Sequence, residues 1–308
     1  MSLRPRGPLV AIGCLIAGTI LSAQSARPFV LAAYFGGGLE PFARFTGSRW
    51  VNTWPAPDES GVPVPALERV PTTWLTKPVP RTWTLWPNAG VPRRIAVVGT
   101  RRGFGEPGSG CTQPAMLTVG DATGREETGL AVDNDQVLEQ VREVEATSAE
   151  WRRLQPVVET TVRANERRLA SIEPSNPAWQ REVLATTHLF DAPLTVETLY
   201  RSASHTSPVL YYFEAVRTVS RTDGLSISAK VSGWLRPDRG GRLSAFALTG
   251  SVYDEEGMWS LTPLAVVRLA GRVFWITNVS HYESSEYVIR DVSPTAVRRV
   301  LTAYGGGC

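Results

Sequence analysis

The sequence predicts an α+β, β-rich protein. A small N-terminal β-domain comes first, then a helical middle segment, then a C-terminal antiparallel sheet with a terminal helix. Three observations predict this. Short apolar runs broken by Gly and Pro fill the first part, charge density and helical spacing rise in the middle, and period-2 alternation returns in the last part.

Residues 1–26 read as a signal peptide. Arg4 and Arg6 form a basic start, an apolar run spans Leu9 to Ala23, and small residues lead to Ala26 before Arg27-Pro28. The run is about 15 residues, short of the roughly 20 needed to span a bilayer. The expected location is the bacterial periplasm or the outside of the cell. The alternative is a retained N-terminal anchor, and only then would a membrane be a partner.

Residues 27–133 read as a small β-domain. Five of the ten tryptophans lie between 50 and 86. Glu40–Phe45 and Arg49–Trp54 flank Thr46-Gly47-Ser48, a hairpin signal with glycine in the turn. Arg81–Trp86 and Arg94–Val98 are further strands, with turn chemistry in Asn88-Ala89-Gly90.

Residues 134–188 read as helical. Val157, Val158, Val162, Leu169 and Ile172 fit one face, with Pro156 in the first turn. A second helix is expected from Asn176-Pro177 to about Thr187. Asp135 to Ser148 gives a weak helical signal through Val137, Val141 and Val144.

Residues 189–308 read as an antiparallel meander. Leu225, Ile227, Ala229 and Val231 alternate with Ser226, Ser228, Lys230 and Ser232, which predicts a strand with one wet face. Turn signals recur at Pro237–Gly241 and Asp254–Gly257. A closing helix is expected, capped by Ser293, started by Pro294 and ended by Gly305.

Composition narrows function only a little. The net charge of +3 falls to about +1 once Arg4 and Arg6 leave, so no general attraction to nucleic acid is expected. Lys77 and Lys230 are the only lysines, an arginine bias that reads as the genome composition of a GC-rich bacterium. Without Cys14, the cysteines are Cys111 and Cys308, an even pair suited to one disulfide in an oxidising compartment. Closing so long a loop would add about 4–5 kcal/mol on the chain-entropy account.

The motifs fail one by one. Gly103-Phe104-Gly105-Glu106-Pro107-Gly108 has dinucleotide spacing, but Pro107 to Gly110 continue a loop where a helix must start. No cofactor is expected. Ser228-Ala229-Lys230 has serine–lysine spacing on a strand, and the alternation explains it as a solvent face. His188, His205 and His281 are scattered; His281 and Glu283 would share a strand face with Glu286 nearby, and a metal site would need a third ligand from elsewhere. Asp133-Asn134-Asp135 starts like a calcium loop but lacks its glycine. No metal and no catalytic residue is expected.

Trp50, Asn52 and Trp54 are the candidate ligand-binding residues. On a strand they share a face, with the indoles about 13 Å apart, a spacing that suits a sugar chain. Tryptophan also fills cores, and that is its commoner use in small β-domains. The expected function is therefore an exported, non-catalytic binding or interaction protein. Its partner would be a cell-wall or extracellular polysaccharide, or an envelope protein. The alternative is a secreted glycan or peptide hydrolase with unrecognised carboxylate or metal chemistry.

Overall fold

The computed structural model describes residues 27–52, 82–88, 90–101, 116–120, 127–170, 183–184, 188–202, 209–220, 224, 226–238, 240–254 and 259–307. Seven strands come first: β1 (Phe29–Phe35), β2 (Gly38–Phe45), β3 (Trp50–Val51), β4 (Thr82–Pro87), β5 (Arg93–Arg101), β6 (Met116–Val119) and β7 (Thr128–Val132). Their order is β1-β7-β4-β5-β6-β2-β3, and β1 also pairs with β2. That extra pairing closes six antiparallel strands into a barrel, with β3 appended to β2.

Local chemistry explains the closure. Gly36 and Gly37 both have positive φ, +55° and +76°, and make the two-residue turn that reverses β1 into β2. Alternate side chains of β1 then go to opposite sides. Val30, Ala32 and Tyr34 point inward, where Leu39, Trp83, Leu85, Ile95 and Leu117 join them. The barrel interior is thus filled with side chains, as expected at this strand number. Trp83 and Trp86 face opposite sides of β4.

The rest of the chain builds a second sheet. Its strands are β8 (Glu139–Glu143), β9 (Thr195–Ser202), β10 (Tyr211–Ser220), β11 (Ser226–Pro237), β12 (Leu243–Tyr253), β13 (Ser260–Leu269), β14 (Arg272–Ser280), β15 (Ser284–Val292) and β16 (Val297–Gly307). The order is β12-β11-β10-β9-β8-β13-β14-β15-β16, all antiparallel. Between β8 and β9 run the helix α1 (Ala149–Ala170) and a short 3-10 turn at Leu189–Asp191.

The sheet curls strongly. Trp234 on β11 touches Trp275 on β14 across five strand steps. On a flat sheet that separation would be about 24 Å. The outer face of the curl is covered twice. Trp151, Leu154, Val158 and Val162 of α1 pack on Leu199, Phe213 and Val231 at one end. Phe29, Leu31 and Phe42 of the barrel pack on Val267, Phe274 and Ile289 at the other.

Four expectations are corrected here. The middle segment is not wholly helical: Glu139–Glu143 is a strand, because both its neighbours supply ladder partners through Val141–Ser202 and Gln140–Ala265. The helix starts earlier than predicted. Ser148 Oγ accepts the Trp151 N–H at 3.0 Å, and Trp151 and Leu154 extend the buried stripe, which leaves Pro156 inside the helix. The terminal helix is absent, and Val297–Gly307 is strand β16. Ser293 there caps a hairpin turn instead, with its N–H on the Ala296 carbonyl at 2.9 Å and its Oγ accepting the Ala296 N–H at 3.1 Å. Cross-strand burial of Ala303 and Leu301 against the barrel outweighs the helical signal.

The fourth correction concerns the wet face of β11. Lys230 and Ser232 are buried, because the curl turns that face inward. The opposite residues, Ile227, Ala229 and Val231, are buried as expected. Of the second predicted helix, only Val183 and Leu184 are described, and both are helical. The signal segment and the Gly103–Gly108 loop lie outside the described residues. Among those described, no helix is long and apolar enough to cross a membrane.

Candidate functional site

The inner face of the curled sheet is the place where chemistry gathers. Its ends, β12 and β16, do not pair with each other, so a cleft opens between them. The cavity holds about 610 Å³. Trp234, Leu261 and Val279 form its apolar floor, and all three are buried. Thr249 and Ser251 on β12, Val297 and Arg299 on β16, and Arg290 on β15 form the walls.

A bulge shapes one wall. The β11–β12 register slips between Ser232 and Trp234, and Ala247 takes a positive φ of +49°. A non-glycine residue in this conformation costs about 1–3 kcal/mol. Such kinks cluster beside binding and active sites.

Behind the cleft lies a buried polar network. Glu214 is 2% exposed and fully satisfied. Its Oε1 accepts from Tyr212 OH at 2.7 Å and from the Leu261 N–H at 3.2 Å, and its Oε2 accepts from Lys230 Nζ at 3.0 Å. Lys230 also donates to the Trp259 carbonyl at 2.8 Å and sits 5.1 Å from the Trp259 ring centre. Trp259 in turn donates its indole N–H to Ser251 Oγ at 3.1 Å. The network therefore pins Trp259 to the cleft rim. Burial, and then the charge of Glu214, push the Tyr212 hydroxyl well above its ordinary range, so it stays a neutral donor.

Arg290 has a different environment. Its Nη1 reaches the neutral Thr277 Oγ1, and Arg299 stands directly opposite on β16. Burial, with the charge of Arg299 adding to it and Tyr212 and Glu286 opposing it, holds the Arg290 guanidinium down at about 10. Glu286 is the one acid on the same face of β15, four residues away, and forms no ion pair with it among the described residues. None of the described residues lining the cleft is a carboxylate.

Of the candidate residues from the sequence, Trp50 and Asn52 fall outside the cleft. Trp50 is 8% exposed and sits edge-on to Phe29 and Phe274, at 5.5 and 5.7 Å. Its indole faces the core between barrel and sheet, and Asn52 is exposed just beyond β3. Trp54, Cys111 and Cys308 lie outside the described residues. His281 is in the turn between β14 and β15, on the cleft rim, with its N–H on the Ser284 carbonyl at 2.7 Å. Among the described residues, no three His, Cys, Asp or Glu side chains gather as a metal site requires.

The cleft was missed because its residues come from seven strands, β10 to β16, and the loops beside them. The one available signal was Lys230, a rare lysine on an otherwise serine-lined strand face. A smaller cavity of about 310 Å³ lies where barrel meets sheet, between Trp86, Leu130, Glu139 and Tyr200. No protein-family model matches this chain, and no curated protein or solved structure is similar to it.

Proposed function

We propose that the chain is a non-catalytic binding protein that works outside the cytoplasm, and that its ligand occupies the cleft between β12 and β16. The observation that carries this reading is the cleft itself. Its volume of about 610 Å³ is in the range of small-molecule sites, and it pairs an apolar floor with a few placed polar groups. The barrel interior is packed solid, and α1 and the barrel cover the outer face of the sheet. The strained Ala247 on the wall and the network behind Trp259 support a shaped, held site. Location outside the cytoplasm rests on the charged, apolar and small-residue order of residues 1–26.

A thermal-shift screen tests this. The panel holds lipids, small metabolites, peptides and soluble cell-wall fragments, run on the wild type and on Thr249→Trp, which fills the cleft from its rim. A compound that stabilises the wild type and not the variant supports the reading. A compound that stabilises both equally overturns it.

A further inference from the structure

We infer that the ligand of this cleft is an acidic amphiphile, whose carboxylate or phosphate head is held between Arg290 and Arg299 and whose apolar body lies on Trp234, Leu261 and Val279. The inference rests on the cleft being the binding site, and adds the chemical class of what enters it.

The two arginines are the argument. They face each other across β15 and β16 in direct register. Like charges placed directly opposite destabilise a sheet. Other arginines of the fold are matched to carboxylates: Arg93 to Glu127, Arg217 to Glu166, Arg268 to Glu139 and Arg272 to Asp291, at 2.5–2.7 Å. The cleft pair has no such partner among the described residues. Arg290 is also the more desolvated of the two, with one neutral hydroxyl as its partner. A desolvated cation that makes no ion pair, with Glu286 acting on it only through space, is costly, and a bound anion lowers that cost.

Geometry fits an oxyanion. Side chains directly opposite on neighbouring strands start about 4.5–5.5 Å apart at Cβ, so both guanidinium forks can reach one head group. Each fork matches the two oxygens of a carboxylate or phosphate. Trp275 stands opposite Arg290 on β14, and Trp234 packs against Trp275. The charged wall therefore runs straight into the apolar floor. A free inorganic anion would leave that floor unused, whereas an alkyl body covers it.

The test uses the full chain and three probes of one chain length: dodecanoate, dodecyl phosphate and dodecanol, all below their micellar concentrations. Binding is read by isothermal calorimetry. The expected result is that at least one of the two anions binds about tenfold or more tighter than the alcohol. Arg299→Gln should erase most of that preference and Arg290→Gln/Arg299→Gln all of it, with the near-ultraviolet circular dichroism unchanged. Arg299 is exposed at the rim, so its variant reports on binding even if the double variant fails to fold. Equal binding of acid and alcohol, or a preference that survives Arg299→Gln, overturns the inference and leaves the cleft reading standing. Silence from all three probes overturns it as well. Anion binding that persists in Thr249→Trp overturns both readings together.

Discussion

Trp234 and Trp275 meet edge to face, with ring centres 4.7 Å apart and planes at 88°. They belong to strands five steps apart in one sheet, so this contact staples the curl shut from inside. Both indoles are buried, and Tyr212 packs on Trp234 at 5.2 Å. Trp275→Ala should cost about 3–5 kcal/mol, the usual loss for a buried aromatic. Urea denaturation would show the midpoint falling. A loss under about 1 kcal/mol would mean that the curl is held elsewhere.

The second prediction concerns pH. Glu40 is 1% exposed at the seam between barrel and sheet, and burial pushes its carboxyl up to about 8 despite a 3.4 Å hydrogen bond from Tyr287 OH. The unfolded carboxyl ionises near the ordinary 4.5. Between those values the folded form keeps a proton that the unfolded form has released. The Glu40 contribution is therefore complete below about 4.5, is lost as pH rises towards about 8, and is flat beyond. Glu40→Gln should flatten that slope and stabilise the protein at pH 8 by about 1–3 kcal/mol. Melting curves at pH 5 and pH 8 would check it. An unchanged slope in the variant would sink the assignment.

A third prediction follows from the pair under α1. Arg217 grips Glu166 with two bonds, at 2.7 and 3.0 Å, and both side chains are buried. Arg217→Met strands a buried carboxylate and should cost about 3–5 kcal/mol. The Arg217→Met/Glu166→Leu double variant should recover much of that, since no charge is then left alone. Both stabilities come from the same denaturant series. A double variant that is worse than the single would contradict the reasoning.

A fourth prediction tests the helix seat. A Cβ on Gly250 would stand 2.7 Å from Leu169 Cβ, so α1 must move or β12 must bend. Gly250→Ala should lose about 1–3 kcal/mol by overpacking. Adding Leu169→Ala should cost less in that background than in the wild type, a coupling that a double-mutant cycle measures.

The sequence showed some layers of this structure and not others. The hairpin through Thr46-Gly47-Ser48 was legible because turn chemistry is local, and the β2–β3 pair forms there. The alternation of β11 was legible too, but its meaning was not. Lys230 and Ser232 look solvent-facing until a curl of nine strands turns them inward, and curl arises from contacts between distant strands. The same holds for Val297–Gly307. Ser293 and Pro294 suit a helix start and a hairpin turn equally, and the choice falls to β15, which supplies a ladder. The cleft was invisible for the same reason: Arg290 and Arg299 are ordinary arginines in a row of letters, and become a pair through register alone.

Strand β8 lies in the middle of the nine-stranded sheet, yet it is made before α1 and long before its second neighbour. Glu139 and Arg268, 129 residues apart, clamp that junction at 2.5 Å. During synthesis, α1 and the strands up to β12 emerge while one flank of β8 remains bare. A bare strand flank invites pairing with other chains. The late hairpins of β13 to β16 therefore act as a built-in cover, and a nascent chain interrupted before them should aggregate rather than accumulate as a half-sized protein.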